Sequence, residues 1–209
     1  MVHDLLYFQD GCTFVADETT PAWVPLLLQQ EIFLVVRRAL IPNHLVPVGV
    51  RGKQRSERYA FTIGKDRVGR VIQPEDLAYT CRHVSSEQRE RSRVFAVLDE
   101  VAHYFAEQRV VWGPVGSVGY ELATKRPVVG LQSDLDLIVR AETPIDMATA
   151  KRWWGFMQEF PVRLDVLIET SKGGVSLREY ASSSPTVLLR TVSGPVLHDR
   201  NLWAKKELS

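Results

Sequence analysis

Cysteine is scarce in this chain: there are two in 209 residues, Cys12 and Cys81. They lie far apart and in no Cys-x-x-Cys spacing, which argues against a zinc site and a disulfide framework and suits a reducing compartment, the cytosol. Long apolar runs are lacking as well. The stretch Leu26 to Val36 is broken by Gln29, Gln30 and Glu31, leaving far fewer than the roughly 20 apolar residues a membrane helix requires. The start, Met1-Val2-His3-Asp4, has neither the basic residues nor the apolar run of a signal peptide. Neither membrane insertion nor export is therefore expected. Charge of one sign is missing too, since 26 basic residues stand against 25 acidic ones for a formal charge of +1. Bulk binding to a nucleic-acid backbone needs a clear basic excess, so no nucleic-acid partner is expected and any basic contact surface must be local. Glycine and proline are few, 13 and 11, and no repeat or low-complexity tract occurs, which removes the fibrous and disordered classes. What remains is a chain with 45% hydrophobic residues, enough to bury a sizeable core as one main domain with a small one attached.

From Met1 to about Val71 the pattern is of short β-like runs: Leu5 to Phe8, Phe33 to Arg37, Val46 to Val50 and Tyr59 to Ile63. Pro21, Pro25, Pro42, Pro47 and Gly64 punctuate them, and no helical period persists. Ser85-x-x-Gln88 then offers a capping box. Val94, Val97, Leu98, Val101 and Phe105 recur at three- and four-residue spacing, which predicts one amphipathic helix over about residues 86–108. The domain boundary falls just before it, near residues 72–85. A small β-rich domain over residues 1–80 is thus followed by a larger one over residues 81–209. Beyond the helix come a glycine-punctuated segment, Trp112 to Thr124, and a strand, Leu135 to Arg140. A second helix follows, with Thr143 as cap and Pro144 at its first position. In Arg163 to Glu169 the apolar Leu164, Val166 and Ile168 alternate with Arg163 and Asp165, the pattern of a strand half facing polar space. A short helical segment around Ser176 to Ala181 and a strand-like pair, Val187 to Thr191 and Pro195 to Leu197, close the chain. Helix, strand, helix, strand is an α/β or α+β arrangement.

Chemistry concentrates in Ser133-Asp134-Leu135-Asp136-Leu137. Carboxylates at i and i+2 at the entrance of a strand point to the same face, about 6 to 7 Å apart along the chain, while Leu135 and Leu137 take the other. Two neighbouring anions raise one another's pKa unless a cation lies between them. Magnesium suits such a pair, because it takes hard oxygen ligands from one or two carboxylates and completes its shell with phosphate and water. A solvated turn before a strand has the same appearance, so Asp-x-Asp alone decides nothing. Two further features add weight. Upstream, Gly113-Pro114-Val115-Gly116-Ser117-Val118-Gly119 precedes a helix-compatible stretch, Tyr120 to Thr124, where backbone N–H groups and the Ser117 hydroxyl could receive phosphate oxygens. Downstream, Asp165 sits between Leu164 and Val166, an awkward place for a carboxylate unless it faces the same polar cleft.

Taken in this order, Gly-Ser, Asp-x-Asp and a third carboxylate on a following strand, the residues resemble the nucleotidyltransferase superfamily of the polymerase β type. The resemblance implies a Gly-Ser element, Gly116-Ser117, that holds a triphosphate, and a metal-binding catalytic pair, Asp134 and Asp136. It also implies a third carboxylate that completes the site and activates the attacking hydroxyl. Asp165 and Glu169 both qualify for that place, and the alternation favours Asp165.

A closer resemblance covers nearly the whole chain. It rests on His3-Asp4-Leu5-Leu6, on Pro47-Val48-Gly49-Val50-Arg51-Gly52, on Gly116 to Thr124 and on Ser133 to Leu137. These segments resemble the phosphoribosyl-dephospho-CoA transferases of the malonate decarboxylase system, also called malonate decarboxylase holo-acyl-carrier-protein synthases. The resemblance implies transfer of a phosphoribosyl-dephospho-CoA group from triphosphoribosyl-dephospho-CoA to a serine of the decarboxylase acyl carrier protein, with release of pyrophosphate. Mg²⁺ would be the cofactor, held by Asp134, Asp136 and Asp165.

Such a substrate makes sense of local charge. Between Arg51 and Arg70 lie seven basic residues, Arg51, Lys53, Arg55, Arg58, Lys65, Arg67 and Arg70, and two acidic ones, Glu57 and Asp66. This patch, with Arg51 and Arg55 foremost, could grip a triphosphate or dock an acidic carrier protein, although a solvated strand face reads the same way. Lys125, just beyond the Gly-Ser element, is a further phosphate candidate. The histidines have no metal spacing, and His103 reads as a helix-surface or packed residue. Of Trp153 and Trp154, one is expected in the core. Two other functions fit the same residues: a nucleotidyltransferase acting on another protein or small-molecule hydroxyl, and a non-catalytic nucleotide-binding module. The last predicts an incomplete acidic site, whereas a possible third carboxylate is retained here.

Overall fold

In the computed structural model, residues 1–8, 14, 16–30, 32–52, 54, 56–80 and 84–203 are described. Cys12, Cys81, His83, Lys53 and Arg55 therefore lie outside the described residues. The chain divides into two compact units, Met1–Gln73 with Ala123–Lys125, and Pro74–Leu122 with Arg126–Ser209. Both combine helices with mainly antiparallel sheet, so the class is α+β. No helix among the described residues is long and apolar enough to cross a membrane.

The N-terminal unit is built from β1 (Leu5–Phe8), α1 (Trp23–Leu28), β2 (Phe33–Val36), β3 (Leu45–Arg51), β4 (Arg58–Gly64) and β5 (Val68–Ile72). The strands pair antiparallel in the order β4-β3-β2-β1-β5. Alternation sends Leu6, Phe8, Leu34, Val36, Val48, Val50 and Ile63 to one face, where they pack with Val24 of α1 and with Ile32. Helix α1 was hidden in the sequence by Pro21 and Pro25. Pro25 falls in its first turn, where a missing N–H leaves no hydrogen bond unmade. Strand β5 was hidden by Gly69 and Arg70, which interrupt its alternation.

The C-terminal unit begins with α2 (Pro74–Thr80), α3 (Ser86–Arg91) and α4 (Val94–Gln108). It continues through β6 (Trp112–Pro114), α5 (Gly116–Thr124), β7 (Leu135–Arg140), α6 (Met147–Met157) and β8 (Leu164–Thr170). The last elements are β9 (Gly173–Ser176), α7 (Leu177–Tyr180), β10 (Thr186–Thr191) and β11 (Gly194–Asp199). The sheet order is β11-β10-β9-β8-β7-β6. Only the β7–β8 pair, joined through α6, is parallel among the pairs of this sheet described. One face is apolar: Leu135, Leu137, Val139, Leu164, Val166 and Ile168 are all buried. The Phe105 ring of α4 lies 5.4 Å from both Trp112 and Trp153, bringing α4 and α6 onto that side. On the opposite face Gly113 lies beneath the start of α2, where a Cβ would come within 1.9 Å of the Pro74 carbonyl oxygen.

Three local expectations change. The single helix over residues 86–108 is two, because Ser92 is extended (φ −154°, ψ 132°) and its buried hydroxyl donates to the Gly130 carbonyl at 3.0 Å. The Ser85–Gln88 capping box is present and opens the first of them. The second predicted helix starts later than Thr143 and Pro144, because the Asp146 carboxylate accepts the Thr149 N–H at 2.9 Å and so caps α6. Helix α5 begins at Gly116 rather than near Tyr120. Trp153 is buried and Trp154 half-buried, and His103 is exposed, 3.6 Å from Glu107 one turn along α4.

The Gly113 contact yields a test of the packing of α2 on β6. Gly113→Ala is expected to destabilise the protein by about 2–3 kcal/mol, read as a lowered denaturation midpoint. Gly130→Ala, where a Cβ would meet open space, serves as the control and should change the midpoint little.

Candidate active site

The site is assembled by strand register. Leu135 and Leu137 are drawn into the core, which leaves Asp136 half-buried on the other face of β7, with Asp134 half-buried just before the strand. In the parallel β7–β8 pair Asp136 stands level with Asp165, and Arg140 stands level with Glu169. Adjacent strands are about 4.8 Å apart, so Asp165, which is exposed, shares the edge of the sheet face with the Asp pair. Glu169 lies toward the far end, beside Arg140. That arginine makes a largely buried ion pair with Glu75 of α2, Nε to Oε1 at 2.5 Å.

Six buried apolar side chains on the back of β7 and β8, each worth about 1.5–3 kcal/mol, outweigh repulsion of roughly 1 kcal/mol between solvated carboxylates a few ångströms apart. The sheet therefore holds the acids on one face without a cation. They share that face rather than a point: among the described residues no group of three His, Cys, Asp or Glu side chains is drawn together tightly enough to hold a metal ion. The donor set nevertheless fits magnesium, whose hard-oxygen shell needs only one or two carboxylates from the protein.

The Gly-Ser element reaches the same face. The Val115 N–H donates to the Asp136 backbone carbonyl at 2.9 Å, which ties the start of α5 to β7. Gly116 then turns left-handed, φ 61°, and a Cβ there would sit 2.2 Å from Asp136 Oδ2. Glycine is favoured at this backbone angle, and any side chain here would push the Asp136 carboxylate aside. Three residues on, a Cβ at Gly119 would come within 2.4 Å of the Pro114 carbonyl oxygen, so α5 is seated tightly against β6. Ser117 is half-buried in the first turn of α5.

Of the residues expected at the site, Gly116, Ser117, Asp134, Asp136 and Asp165 belong to the C-terminal unit, and the contact between Gly116 and Asp136 is direct. Arg51 and Lys125 are grouped with the N-terminal unit. Arg51 ends β3 in solvent, and Lys125 is exposed with φ 60° just after α5. Arg55 lies outside the described residues.

A residue missed in the sequence organises the approach to these acids. Glu121 of α5 is buried, 2% exposed, and accepts from Gln88 Nε2 at 2.9 Å, from Arg91 Nη2, and from the Val128 and Val129 N–H groups at 2.9 Å each. It thereby fastens α3 and the start of the 126–133 loop to the helix that carries Gly116. The signal was available, because Glu121 shares a helix face with Val118 and Leu122, where an unpartnered carboxylate would be costly. Burial pushes its pKa up. The hydrogen bonds from Gln88, Val129 and Val128 and the Arg91 charge outweigh that and hold it below the ordinary glutamate value.

A carboxyl with a lowered folded-state pKa contributes stability that is fully present above its unfolded pKa, about 4.3, and is lost as the pH falls through the folded value. Glu121→Ala, which strands Arg91, should therefore cost about 3–5 kcal/mol at neutral pH. The gap to wild type in urea denaturation should narrow in acid. A gap unchanged between pH 7 and pH 3 would show that the carboxylate charge is not what holds the loop.

Most of the chain matches two models of one family. Residues 1–74 match the phosphoribosyl-dephospho-CoA transferase MdcG N-terminal domain, and residues 81–201 match the C-terminal domain of the same protein. Curated relatives named phosphoribosyl-dephospho-CoA transferase cover almost the same span. One from Azotobacter vinelandii is 34% identical, covering 92% of this chain and 89% of the relative. One from Pseudomonas putida is 35% identical, covering 98% and 96%, and one from Klebsiella pneumoniae is 32% identical, covering 98% and 97%. No solved structure matches. With both domains matched in order and relatives above 30% identity over nearly their full length, the chain belongs to the phosphoribosyl-dephospho-CoA transferase family and is a transferase enzyme.

Proposed function

We propose that the protein transfers the phosphoribosyl-dephospho-CoA group of triphosphoribosyl-dephospho-CoA to a serine of the malonate decarboxylase acyl carrier protein, releasing pyrophosphate. In this reading residues 81–209 form a nucleotidyltransferase domain of the polymerase β type, and residues 1–80 recognise the carrier protein or substrate. The observation that carries it is the left-handed Gly116 set against the Asp136 carboxylate, with Asp165 level with Asp136 on the next strand.

The serine Oγ attacks the phosphorus next to the ribose, a P–O bond to the carrier forms, and the bond to the departing pyrophosphate breaks. The first turn of α5 offers backbone N–H groups that have no partner within the helix. With the Ser117 hydroxyl they receive the outer phosphates and hold them in line for displacement. Asp165, the more exposed of the three acids, takes the serine proton. Asp134 and Asp136 are the residues that would hold Mg²⁺, which when bound offsets negative charge on the phosphates as pyrophosphate leaves. Catalysis of this kind depends on positioning and electrostatics more than on covalent participation by the protein.

The test is mass spectrometry of the apo carrier protein after incubation with the enzyme, Mg²⁺ and triphosphoribosyl-dephospho-CoA. Wild type should add the mass of the prosthetic group, and Asp134→Ala and Asp136→Ala should not. No addition by wild type, with modification of another acceptor by a nucleoside triphosphate, would retain the acid site and overturn the substrate. Gly116→Ala tests the central contact separately. A shift of Asp136 by about 1 Å should cut the transfer rate on the order of 100-fold while circular dichroism stays unchanged.

A further inference from the structure

The solvent face of the N-terminal sheet carries a group of arginines that this chemistry does not use. Core-facing Val48 and Val50 alternate in β3 with Gly49 and Arg51, and the register places Gly49 opposite Ala60 and Arg51 opposite Arg58. Arg37, directly after β2, joins them: its Cδ lies 2.8 Å from where a Cβ at Gly49 would stand, so its stem crosses the strip that Gly49 and Ala60 leave bare. All three arginines are exposed. Among the described residues none of the three guanidinium groups makes a hydrogen bond or ion pair. The acidic residue nearest in sequence, Glu57, is turned away, with its Oε2 accepting the Gln54 N–H at 2.8 Å and lying over Gly52.

Two arginines directly opposite on one sheet face repel, and no anion among the described residues relieves them. A flat strip floored by glycine and alanine does not enclose a small anion, since small ligands are held in concave sites. A cavity of this unit, about 670 Å³, is lined largely by core-side residues, Phe8, Phe14, Tyr59 and Phe61, with Asp17 and Arg67, and includes none of the three arginines. An extended surface bearing carboxylates matches the strip better, because guanidinium forks pair with carboxylates in two-point contacts and an open surface lets several pairs form together.

We infer that Arg37, Arg51 and Arg58 form a docking surface for an acidic face of the protein that accepts the transferred group. The inference rests on the proposed function, in which the acceptor is a carrier protein. It moves Arg51 from phosphate binding to recognition of that partner. Contacts of this kind act on encounter and on salt dependence more than on the chemical step.

The experiment measures binding of the full-length enzyme to the apo malonate decarboxylase acyl carrier protein, together with transfer kinetics. The variants are Arg51→Glu with Arg58→Glu, the charge-preserving Arg51→Lys with Arg58→Lys, and Arg190→Glu, an exposed arginine of β10, as control. The charge-reversed pair should raise Kd and KM for the carrier about tenfold or more, with kcat and the KM for triphosphoribosyl-dephospho-CoA unchanged. The lysine pair should stay closer to wild type, and Arg190→Glu should match it. Unchanged carrier binding in the charge-reversed pair, no measurable binding by wild type, or a rise only in the KM for the triphosphate would overturn the docking surface. If wild type binds the carrier but transfers nothing to it, while the charge-reversed pair binds it more weakly, the proposed function fails and the three arginines remain a carrier-binding surface. If it transfers normally and the charge-reversed pair binds as wild type does, the reverse holds.

Discussion

The closeness of Gly116 to the Asp136 carboxylate is the constraint on which the rest of the acid site depends. A side chain at residue 116 would collide with Asp136 Oδ2, and its backbone would be strained at φ 61°. The contact is enforced from both sides. The Val115 N–H, just before α5, donates to the Asp136 backbone carbonyl of β7, and the tight seat of Gly119 against Pro114 fixes α5 on β6. A phosphate at the first turn of α5 would therefore lie beside a carboxylate, an arrangement that repels unless a cation bridges the two. A bridging cation is the role proposed above for Mg²⁺, whose hard-oxygen shell takes both carboxylate and phosphate oxygens.

What keeps this arrangement in place is the apolar back of the sheet and one buried carboxylate. The β7–β8 pairing sets Asp136 beside Asp165 because Leu135, Leu137, Leu164 and Val166 must all face inward, and a slip by one residue would turn the acids into the core. Glu121 acts at the other end. By gathering Gln88, Arg91 and the Val128 and Val129 N–H groups, it fixes the departure of the loop that returns the chain to Asp134. Arg140 and Glu75 brace the same sheet face further along β7.

Much of this was legible in the sequence where a period or a cap carried the signal. Alternation marked β1 to β4, β7 and β8 within a residue or two, and the Ser85–Gln88 pair marked the start of α3. The Asp pair stood out because two polar residues flanked a leucine that had to be buried. Tertiary partners hid the rest. Ser92 breaks a helix whose apolar spacing continues, because its hydroxyl is committed to Gly130, and Asp146 displaces Thr143 as the cap of α6. Strand β9, Gly173–Ser176, has almost no side-chain pattern of its own and forms by pairing with β8 and β10. Glu121 was visible only as a carboxylate on an apolar helix face, and its partners come from residues 88, 91, 128 and 129, a grouping that no local pattern encodes.

The most direct measurement is a crystal structure of the Asp165→Asn variant with Mg²⁺ and triphosphoribosyl-dephospho-CoA, a variant chosen to bind the substrate without turning it over. The expected result is Mg²⁺ held by Asp134 and Asp136, with the triphosphate against the first turn of α5 at Gly116 and Ser117. A triphosphate bound away from α5, with Asp134 and Asp136 free of metal, would contradict it.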